Sequence, residues 1–524
     1  MMKTVTVLQM RNIDRRTIQE AKIPGLELME RAGQGAARAA LEMLGAVKGK
    51  KVIHLCGKGN NGGDGFVVAR LLAQKGAVPK VFLLGKKGQV RGDAKENLMR
   101  LLQVGVEVEE LTRLEELSGL ETAHLIVDAL LGIGVSGSVQ GLIAQIIYRI
   151  NDSGIPILAV DIPSGVNADT GEILGCCVRA DRTATMAFPK QGFFFSPGRE
   201  KVGTLTIVDI GVPSWAVEEE KLSVEALEGQ EMARLMPSRP ADAHKGSCGR
   251  VLVVAGSVGM TGAAALTSMA VLRAGAGMAI LGIPESLNQI MEVKLTEVMT
   301  SPLPETKTQA LALASLETIQ ELLSWADVLA IGPGLSTDPE TVQVVRQLLP
   351  KLSCPTVVDA DGLNAIAQDT QLLKSVKAPL VITPHAGELA RLSGKEIALK
   401  TEERIDAVEE ISRRYGVVCV FKGSPTLIAD GKGQVSINTT GNAGMATAGA
   451  GDVLTGMIAG FLAQGLSPME AARLGVYLHG LAGDVARDVR GEWGMVAGDL
   501  VEAIPEAVFR TCGQRAKRRE SANG

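Results

Sequence analysis

Short apolar runs recur along the chain, each followed by a longer stretch of helical spacing, and this alternation constrains the fold more than any other feature. One series comprises residues 51–56 (KVIHLC), 80–84 (KVFLL), 124–128 (HLIVD), 157–161 (ILAVD) and 205–209 (LTIVD). A second comprises 250–255 (RVLVVA), 278–283 (MAILGI), 328–331 (VLAI), 356–359 (TVVD), 380–383 (LVIT) and 417–421 (VVCVF). Runs of this kind form parallel strands buried on both faces, so the chain is expected to be α/β with helices covering its sheets. With 524 residues it exceeds the ~250–300 at which a single core stops growing. Between the series lie the acidic run Glu218-Glu219-Glu220 and the break Pro237-Ser238-Arg239-Pro240, which place a junction near 220–235. The halves share no motif. Two unlike domains are expected, over residues 1–225 and 232–510, followed by a frayed basic tail over 511–524.

Composition narrows the function class. The 61 glycines and 3% aromatic content suit aliphatic strands joined by glycine turns. A net charge of −4 offers no basic field for nucleic acid. The first residues, MMKTVTVLQMRNIDRR, are too poor in apolar side chains for a secretion signal, and no run is long enough to cross a membrane. A cytoplasmic protein with small-molecule partners is expected. The seven cysteines form no C-x-x-C pair and are expected to be reduced.

Residues 441–456 (GNAGMATAGAGDVLTG) carry the clearest chemistry. Gly449, Ala450 and Gly451 leave the backbone bare ahead of an apolar helical stretch, 453–462, and glycines permit positive φ and close ligand approach. The first N–H groups of that helix lack internal partners and carry the positive end of its dipole, which suits a phosphoryl group gaining charge. Asp452 opens the helix at the same place, a carboxylate able to take a proton from a hydroxyl while adjacent amides hold phosphoryl oxygens. A plain helix cap needs one such Asp and no glycine cluster.

In the first half, Gly57-Lys58-Gly59-Asn60-Asn61-Gly62-Gly63-Asp64-Gly65 follows a strand and leads into a helical stretch, 66–74, the setting of a phosphate or dinucleotide loop. The acidic residue that an NAD dehydrogenase carries about 20 positions on is missing; the second strand ends Gly85-Lys86-Lys87 instead. Asp128 and Asp161 close two further strands ahead of the loops 132–137 (GIGVSG) and 162–165 (IPSG), where open α/β sheets bind ligands. Asn61, Asp128 and Ser164 are hard oxygen ligands suited to a monovalent or hard divalent cation.

KGNNGGDG, the VDALLGIG loop and the VDIPSGVNADTG segment resemble the NAD(P)H-hydrate epimerase domain over residues 1 to about 220. The resemblance implies a Rossmann-like three-layer fold that interconverts the R and S forms of hydrated NADH or NADPH at C6 of the nicotinamide ring. It implies that Asn60, Asn61, Gly62, Gly63, Asp64, Gly132, Ile133, Gly134, Val135, Ser136, Gly137, Ser138 and Asp161 hold the dinucleotide, with Asp161 handling the proton. By the same match Asn61, Asp128 and Ser164 hold a potassium ion. Ile133 departs from the family, which usually carries Thr there, so the loop has one hydroxyl fewer.

From about His244 to about residue 508 the chain resembles the ADP-dependent NAD(P)H-hydrate dehydratases, of the ribokinase-like three-layer fold. The marks are VAGS (254–257), MTGAA (260–264), GPGL (332–335), VDADGLN (358–364), TPHAGE (383–388), FKGSPT (421–426) and the GAGD run. This resemblance implies that Lys422, Gly423, Ser424, Pro425, Thr426, Asn442, Gly444, Thr447, Gly449, Ala450 and Gly451 bind ADP. Ala263, Gly334, His385 and the catalytic Asp452 then face the hydrated nicotinamide, magnesium accompanies the ADP, and a homo-oligomer is expected. No G-x-x-x-x-G-K-[ST] is present, so a Walker loop does not cradle the nucleotide. His385 alone would read as a satisfied strand-end histidine, but its place between Pro384 and Ala386-Gly387-Glu388 favours a ligand contact. The alternative is a ribokinase-type small-molecule kinase fused to a dinucleotide-sensing domain. It shares Asp452 and the anion hole but leaves KGNNGGDG and the two strand-end Asp loops unexplained.

Overall fold

The computed structural model describes residues 1–396 and 400–522. The chain divides into two compact units, Lys3–Val224 on the one hand and Glu225–Gly524 with Met1–Met2 on the other. In the first unit the strands are β1 (Lys51–Cys56), β2 (Val78–Leu84), β3 (Val108–Leu111), β4 (Leu125–Ala129), β5 (Ile157–Val160), β6 (Arg182–Met186) and β7 (Thr204–Val208). They form one parallel sheet in the order β3-β2-β1-β4-β5-β6-β7. The chain runs outward from β1 to one edge, then returns to β4 and runs to the other. The crevice at the carboxyl ends of β1 and β4 is therefore the switch point at which such sheets bind ligands. Ala32, Ala36, Phe66, Val68 and Leu72 fill one face of the sheet; Ile146, Ile147 and Ile150 fill the other.

The second unit contains β8 (Arg250–Val254), β9 (Met278–Pro284), β10 (Met299–Leu303), β11 (Val328–Ile331), β12 (Thr356–Val358), β13 (Leu380–Ile382), β14 (Val418–Phe421), β15 (Leu427–Ala429) and β16 (Val435–Ile437). Their order is β16-β15-β14-β13-β12-β11-β8-β9-β10. All pairings from β10 through β14 are parallel, and β14-β15-β16 continue the sheet as an antiparallel meander. Its switch point lies between β8 and β11. Helix Ala450–Ala463 is buried along nearly its whole length against helix Thr261–Arg273, where Gly456 and Gly460 let the backbones meet: a Cβ on Gly456 would lie 2.2 Å from the Thr267 carbonyl oxygen.

Four differences from the sequence expectation have physical causes. β3, β6, β10 and the β15–β16 hairpin lack continuous apolar runs; RTATM, for instance, presents Thr183 and Thr185 to the interior. Helix Asn60–Gln74 begins at the glycine loop rather than at residue 66, so Gly62 and Gly63 are already helical. Thr6 and Gln9 form a reciprocal capping box that starts helix Val7–Gln19 within the segment read only for targeting signals. Helix Ala497–Ala522 extends through residues 511–522, where a frayed tail was expected; residues 523–524 lie outside the described residues. The seven cysteines are free thiols. No helix among the described residues is long and apolar enough to cross a membrane.

One core residue is out of keeping with its surroundings. His54, in the middle of β1, is fully buried and neither ring nitrogen has a hydrogen-bond partner. Burial lowers its pKa from 6.5 to about 3. The folded state therefore holds it neutral, whereas the unfolded chain takes up a proton below pH 6.5. The His54 contribution to stability is complete above that pH and declines as pH falls toward 3. His54→Leu removes two unsatisfied polar atoms at similar volume and should stabilise the protein by about 1–3 kcal/mol. Thermal unfolding of both proteins at pH 7 and pH 5 checks this: the variant should melt higher at pH 7, and its lead should widen at pH 5.

Candidate functional sites

A cavity of about 640 Å³ opens at the first switch point. Its walls include Asn60, Asn61, Gly62, Asp64, Gly132, Ile133, Gly134, Val135 and Asp161. Glycine is required where the two loops close together. A Cβ on Gly57 would sit 2.1 Å from the Leu130 carbonyl oxygen, and one on Gly62 would sit 1.9 Å from that of Gly57. Gly63 packs against Met29 instead of lining the cavity. Ser136, Gly137 and Ser138 do not line it either; a Cβ on Gly175 would lie 2.5 Å from the Ser138 hydroxyl, so that side chain packs there.

Asp161 occupies the left-handed region at φ 65°, a conformation that Asp tolerates better than most residues. Its Oδ1 accepts hydrogen bonds from the Met186 amide at 3.1 Å, the Thr185 hydroxyl at 3.2 Å and the Lys190 ammonium. Lys190 is fully buried and also donates to the Thr185 hydroxyl at 2.8 Å and the Met186 and Phe188 carbonyls at 3.3 Å. Asp14, on helix Val7–Gln19, and buried Asp64 share the cavity wall with this pair. Burial, then Asp161, push the Asp14 carboxyl up to about 6, with Lys190 opposing. Burial, then the charges of Asp161 and Asp14, push Asp64 well above the ordinary carboxylate range, again against Lys190. Three carboxyl groups thus face one cation, an arrangement that stores and passes a proton near neutral pH. Asp14 and Lys190 were not legible in the sequence, because each lies on an element without a flagged motif.

Below the cavity, Asp128 accepts from the Ser164 hydroxyl at 2.6 Å, the Ser164 amide at 2.8 Å and the Leu130 amide at 3.2 Å. Asn61 donates to the Leu131 carbonyl at 2.9 Å while its own Oδ1 is buried without a partner. The Leu131 amide in turn donates to the Ser164 hydroxyl at 2.9 Å. An orphan amide oxygen beside a hydroxyl and a buried carboxylate is a donor set that fits a hard cation.

The second site is built on helix Ala450–Ala463. Its N-cap is Gly449 at φ 91°, which leaves no cap side chain, and Asp452 stands in the first turn. Among the described residues the Gly451 and Asp452 amides have no acceptor. Lys422 follows β14 and donates to Asp359 at 2.5 Å, with Glu388 at 3.9 Å. The Thr455 hydroxyl holds the other Asp359 oxygen at 2.7 Å. A Cβ on Gly451 would lie 3.3 Å from the Lys422 ammonium, so the bare helix start and the lysine face each other. Burial works against the charge on Lys422, yet Asp359, Glu388 and Asp452 hold its pKa above the ordinary value. Burial, then Asp359 and Asp361, raise the Asp452 carboxyl to about 7, with Lys422 opposing. Such a group is half-ionised at neutral pH and suits a general base.

The remaining expected residues fall into four groups. Gly334 meets Met260 and Ala263 at the second switch point: its Cβ would lie 3.1 Å from that of Ala263. Arg404, buried over the Phe421 ring, donates to the Ser424 carbonyl at 2.9 Å and to that of Pro425 at 2.5 Å, which fixes the turn over Gly423, Ser424, Pro425 and Thr426. Asp484 holds the Gly441 amide at 2.9 Å and the Asn442 side chain at 3.0 Å, and Asn442 caps the Gly444 amide at 3.1 Å. The Thr447 carbonyl accepts from the Ala450 amide at 3.4 Å. His385 proves to be the N-cap of helix Ala386–Ser393: its Nδ1 accepts from the Gly387 amide at 3.0 Å and the Glu388 amide at 3.3 Å. The side chain remains 55% exposed, with Nε2 3.5 Å from the Glu388 carboxyl. Asp359, Glu388 and Arg404 received no role from the sequence, although Asp359 and Glu388 lie inside flagged motifs.

Residues 251–506 match the family described as NAD(P)H-hydrate dehydratase, and residues 25–192 match the family described as YjeF-related protein N-terminus. The bifunctional NAD(P)H-hydrate repair enzyme of Moorella thermoacetica is 45% identical over 96% of this chain and 96% of its own. That of Thermofilum pendens is 40% identical over 97% of this chain and 96% of its own. An ADP/ATP-dependent NAD(P)H-hydrate dehydratase of Bacillus subtilis, co-crystallised with ATP and Mg²⁺, is 28% identical over 55% of this chain and 99% of its own, with a TM-score of 0.47. Matched nearly end to end by such relatives, the chain belongs to the family of bifunctional NAD(P)H-hydrate repair enzymes.

Proposed function

We propose that the chain repairs hydrated NADH and NADPH. The first unit epimerises the R and S hydrates at C6, and the second dehydrates the S form with ADP, yielding AMP and phosphate. Asp452 carries this reading: a carboxyl with a pKa of about 7, in the first turn of a helix whose Gly451 and Asp452 amides have no acceptor and whose Gly451 lies against the Lys422 ammonium.

In the dehydratase, hydroxide is a poor leaving group and must first be esterified. Asp452 accepts the proton of the C6 hydroxyl, whose oxygen forms a bond to the terminal phosphorus of ADP as the bond to AMP breaks. Lys422 and the Gly451 amide stabilise the charge that develops on the phosphoryl oxygens. The C6–O bond then breaks, phosphate leaves with the electron pair, and a proton lost from C5 restores the ring double bond. Among the described residues no three His, Cys, Asp or Glu side chains cluster as a metal cage. A magnesium ion accompanying the ADP would neutralise charge on its phosphates.

In the epimerase, the C6 hydroxyl neighbours the ring nitrogen. It leaves as water when an acid protonates it and returns on either face when a base deprotonates that water. Asp161 is assigned this proton handling, with Asp14 and Asp64 as adjoining proton stores and Lys190 as the fixed counter-charge. Asn61, Asp128 and Ser164 would hold a potassium ion, which would supply positive charge next to the dinucleotide. A kinase that phosphorylates a small alcohol would use Asp452 in the same way but has no need of the proton-sharing cavity in the first unit.

Asp452→Asn keeps the shape and removes the base. ADP-dependent recovery of NADH absorbance should fall by about 10²–10⁴-fold while nucleotide affinity, measured by calorimetry, survives. In the wild type the same rate should decline as pH drops below about 7, because the base becomes protonated. More than half the wild-type rate in the variant excludes Asp452 as the base.

Asp161→Asn should stop epimerisation and leave dehydration of the S form untouched, since separate sites behave additively. Given mixed hydrates and ADP, the variant should recover NADH quickly from the S fraction and then slow to spontaneous epimerisation. Wild type should run to completion. A variant that completes the mixture at the wild-type rate removes Asp161 from the chemistry; a lowered S-form rate shows that the sites are coupled.

A further inference from the structure

Helix Pro468–Arg490 lies against helix Ala450–Ala463, and Gly475 allows the close approach: a Cβ there would lie 2.7 Å from Ile458 Cγ1. Four residues on, and so on the same face, His479 places Nε2 at 2.9 Å from the Ala450 carbonyl oxygen. A carbonyl only accepts, so Nε2 carries the proton and donates. Ala450 C=O and Gly451 N–H belong to one planar trans peptide unit and point in opposite directions across it. Holding the carbonyl therefore aims the amide.

Gly449 and Gly451 flank Ala450 without side chains, and the Gly451 amide has no acceptor of its own. We propose that His479 is a positioning residue for the dehydratase: by gripping the Ala450 carbonyl from behind, it aims and polarises the Gly451 amide toward the transferring phosphoryl group. The proposal rests on the dehydratase reading of this site. The same helix fixes the other end of the nucleotide loop, through the Asp484 bonds to Gly441 and Asn442 and a 2.7 Å bond from the Thr440 hydroxyl to the Tyr477 carbonyl. His479 is thus one of several anchors that hold residues 440–450 to one rigid helix.

Burial supports the assignment, since it lowers the His479 pKa to about 4 and keeps the ring neutral at working pH, with Lys422 acting in the same direction. Neutral imidazole gives one donor, to the carbonyl, without placing a second positive charge behind the anion hole.

Three variants of the full chain test the role: His479→Leu, His479→Asn and His479→Gln, assayed for kcat and KM with S hydrate and ADP, with thermal unfolding recorded alongside. Glutamine places an amide N–H near the position of Nε2; asparagine falls short of it, and leucine has none. A misplaced oxyanion donor acts on the transition state, where loss of one costs about 10²–10³-fold. His479→Leu and His479→Asn should therefore lose about 10–100-fold in kcat with KM for ADP within about threefold of wild type. His479→Gln should recover most of the rate. His479→Asn within twofold of wild type in kcat overturns the proposal, and so does His479→Gln as impaired as His479→Asn when both melt normally. Absence of ADP-dependent NADH recovery in the wild type overturns the dehydratase reading itself, a result distinct from either.

Discussion

Charge buried at the carboxyl edge of a parallel sheet must be compensated, and in each unit one lysine does so for several carboxyl groups. Lys190 answers Asp161, with Asp14 and Asp64 close by; Lys422 answers Asp359 and Glu388, with Asp452 close by. Two unit charges about 4 Å apart interact by roughly 4 kcal/mol at an effective dielectric of 20. Removing one partner of a buried pair costs about 3–5 kcal/mol, a large share of the ~5–15 kcal/mol that holds a domain together. The lysines are therefore structural as well as chemical. With one cation for several carboxyls, not every carboxyl can be ionised, and the least favoured ones are pushed into the range where protons are exchanged at neutral pH. Unlike folds reach the same electrostatic solution because both must gather polar strand ends over a buried sheet.

Much of this was legible in the sequence. Strands that end in Asp, such as those before Asp128 and Asp161, gave the sheets and the switch points, because a parallel strand buried on both faces has to be continuously apolar. The bare helix start before Asp452 was legible for a similar local reason. Lys190 and Asp14 were not, since what makes them functional is their distance from Asp161 and not their neighbours in the chain. The same holds for Asp359 and Glu388: their motifs were recognised, but their pairing with Lys422 depends on three different strand ends meeting. Edge and near-edge strands such as Arg182–Met186 and Met299–Leu303 escaped because Thr and Pro interrupt their apolar character.

Glycine had a double meaning that sequence alone resolved only in part. Gly62 lies inside helix Asn60–Gln74, where glycine costs about 0.5–1 kcal/mol relative to alanine. The backbone contact it allows with Gly57 is what brings the helix start down onto the strand end, so a packing requirement and a ligand requirement coincide there. His385 shows the reverse case. Its Nδ1 closes a capping box and its Nε2 lies 3.5 Å from the same Glu388 carboxyl, which accounts for its position without any ligand.

Each lysine balances three carboxyl groups, but the two proposed reactions draw on them differently. Epimerisation at a carbon beside nitrogen requires a proton to be given and then taken back at the same hydroxyl, so one site needs an acid and a base together. Two carboxyls whose proton affinities are raised by burial and mutual repulsion, Asp64 well above the ordinary range and Asp14 near 6, stand beside Asp161 and its Lys190 partner to supply both. Dehydration never returns a proton to the hydroxyl: that proton is taken, phosphate carries the oxygen away, and C5 then loses its own proton. One carboxyl near 7, beside the bare helix start, is sufficient for the first of these steps. The proton traffic each reaction demands thus sets how many of the three carboxyls around its lysine act on the substrate.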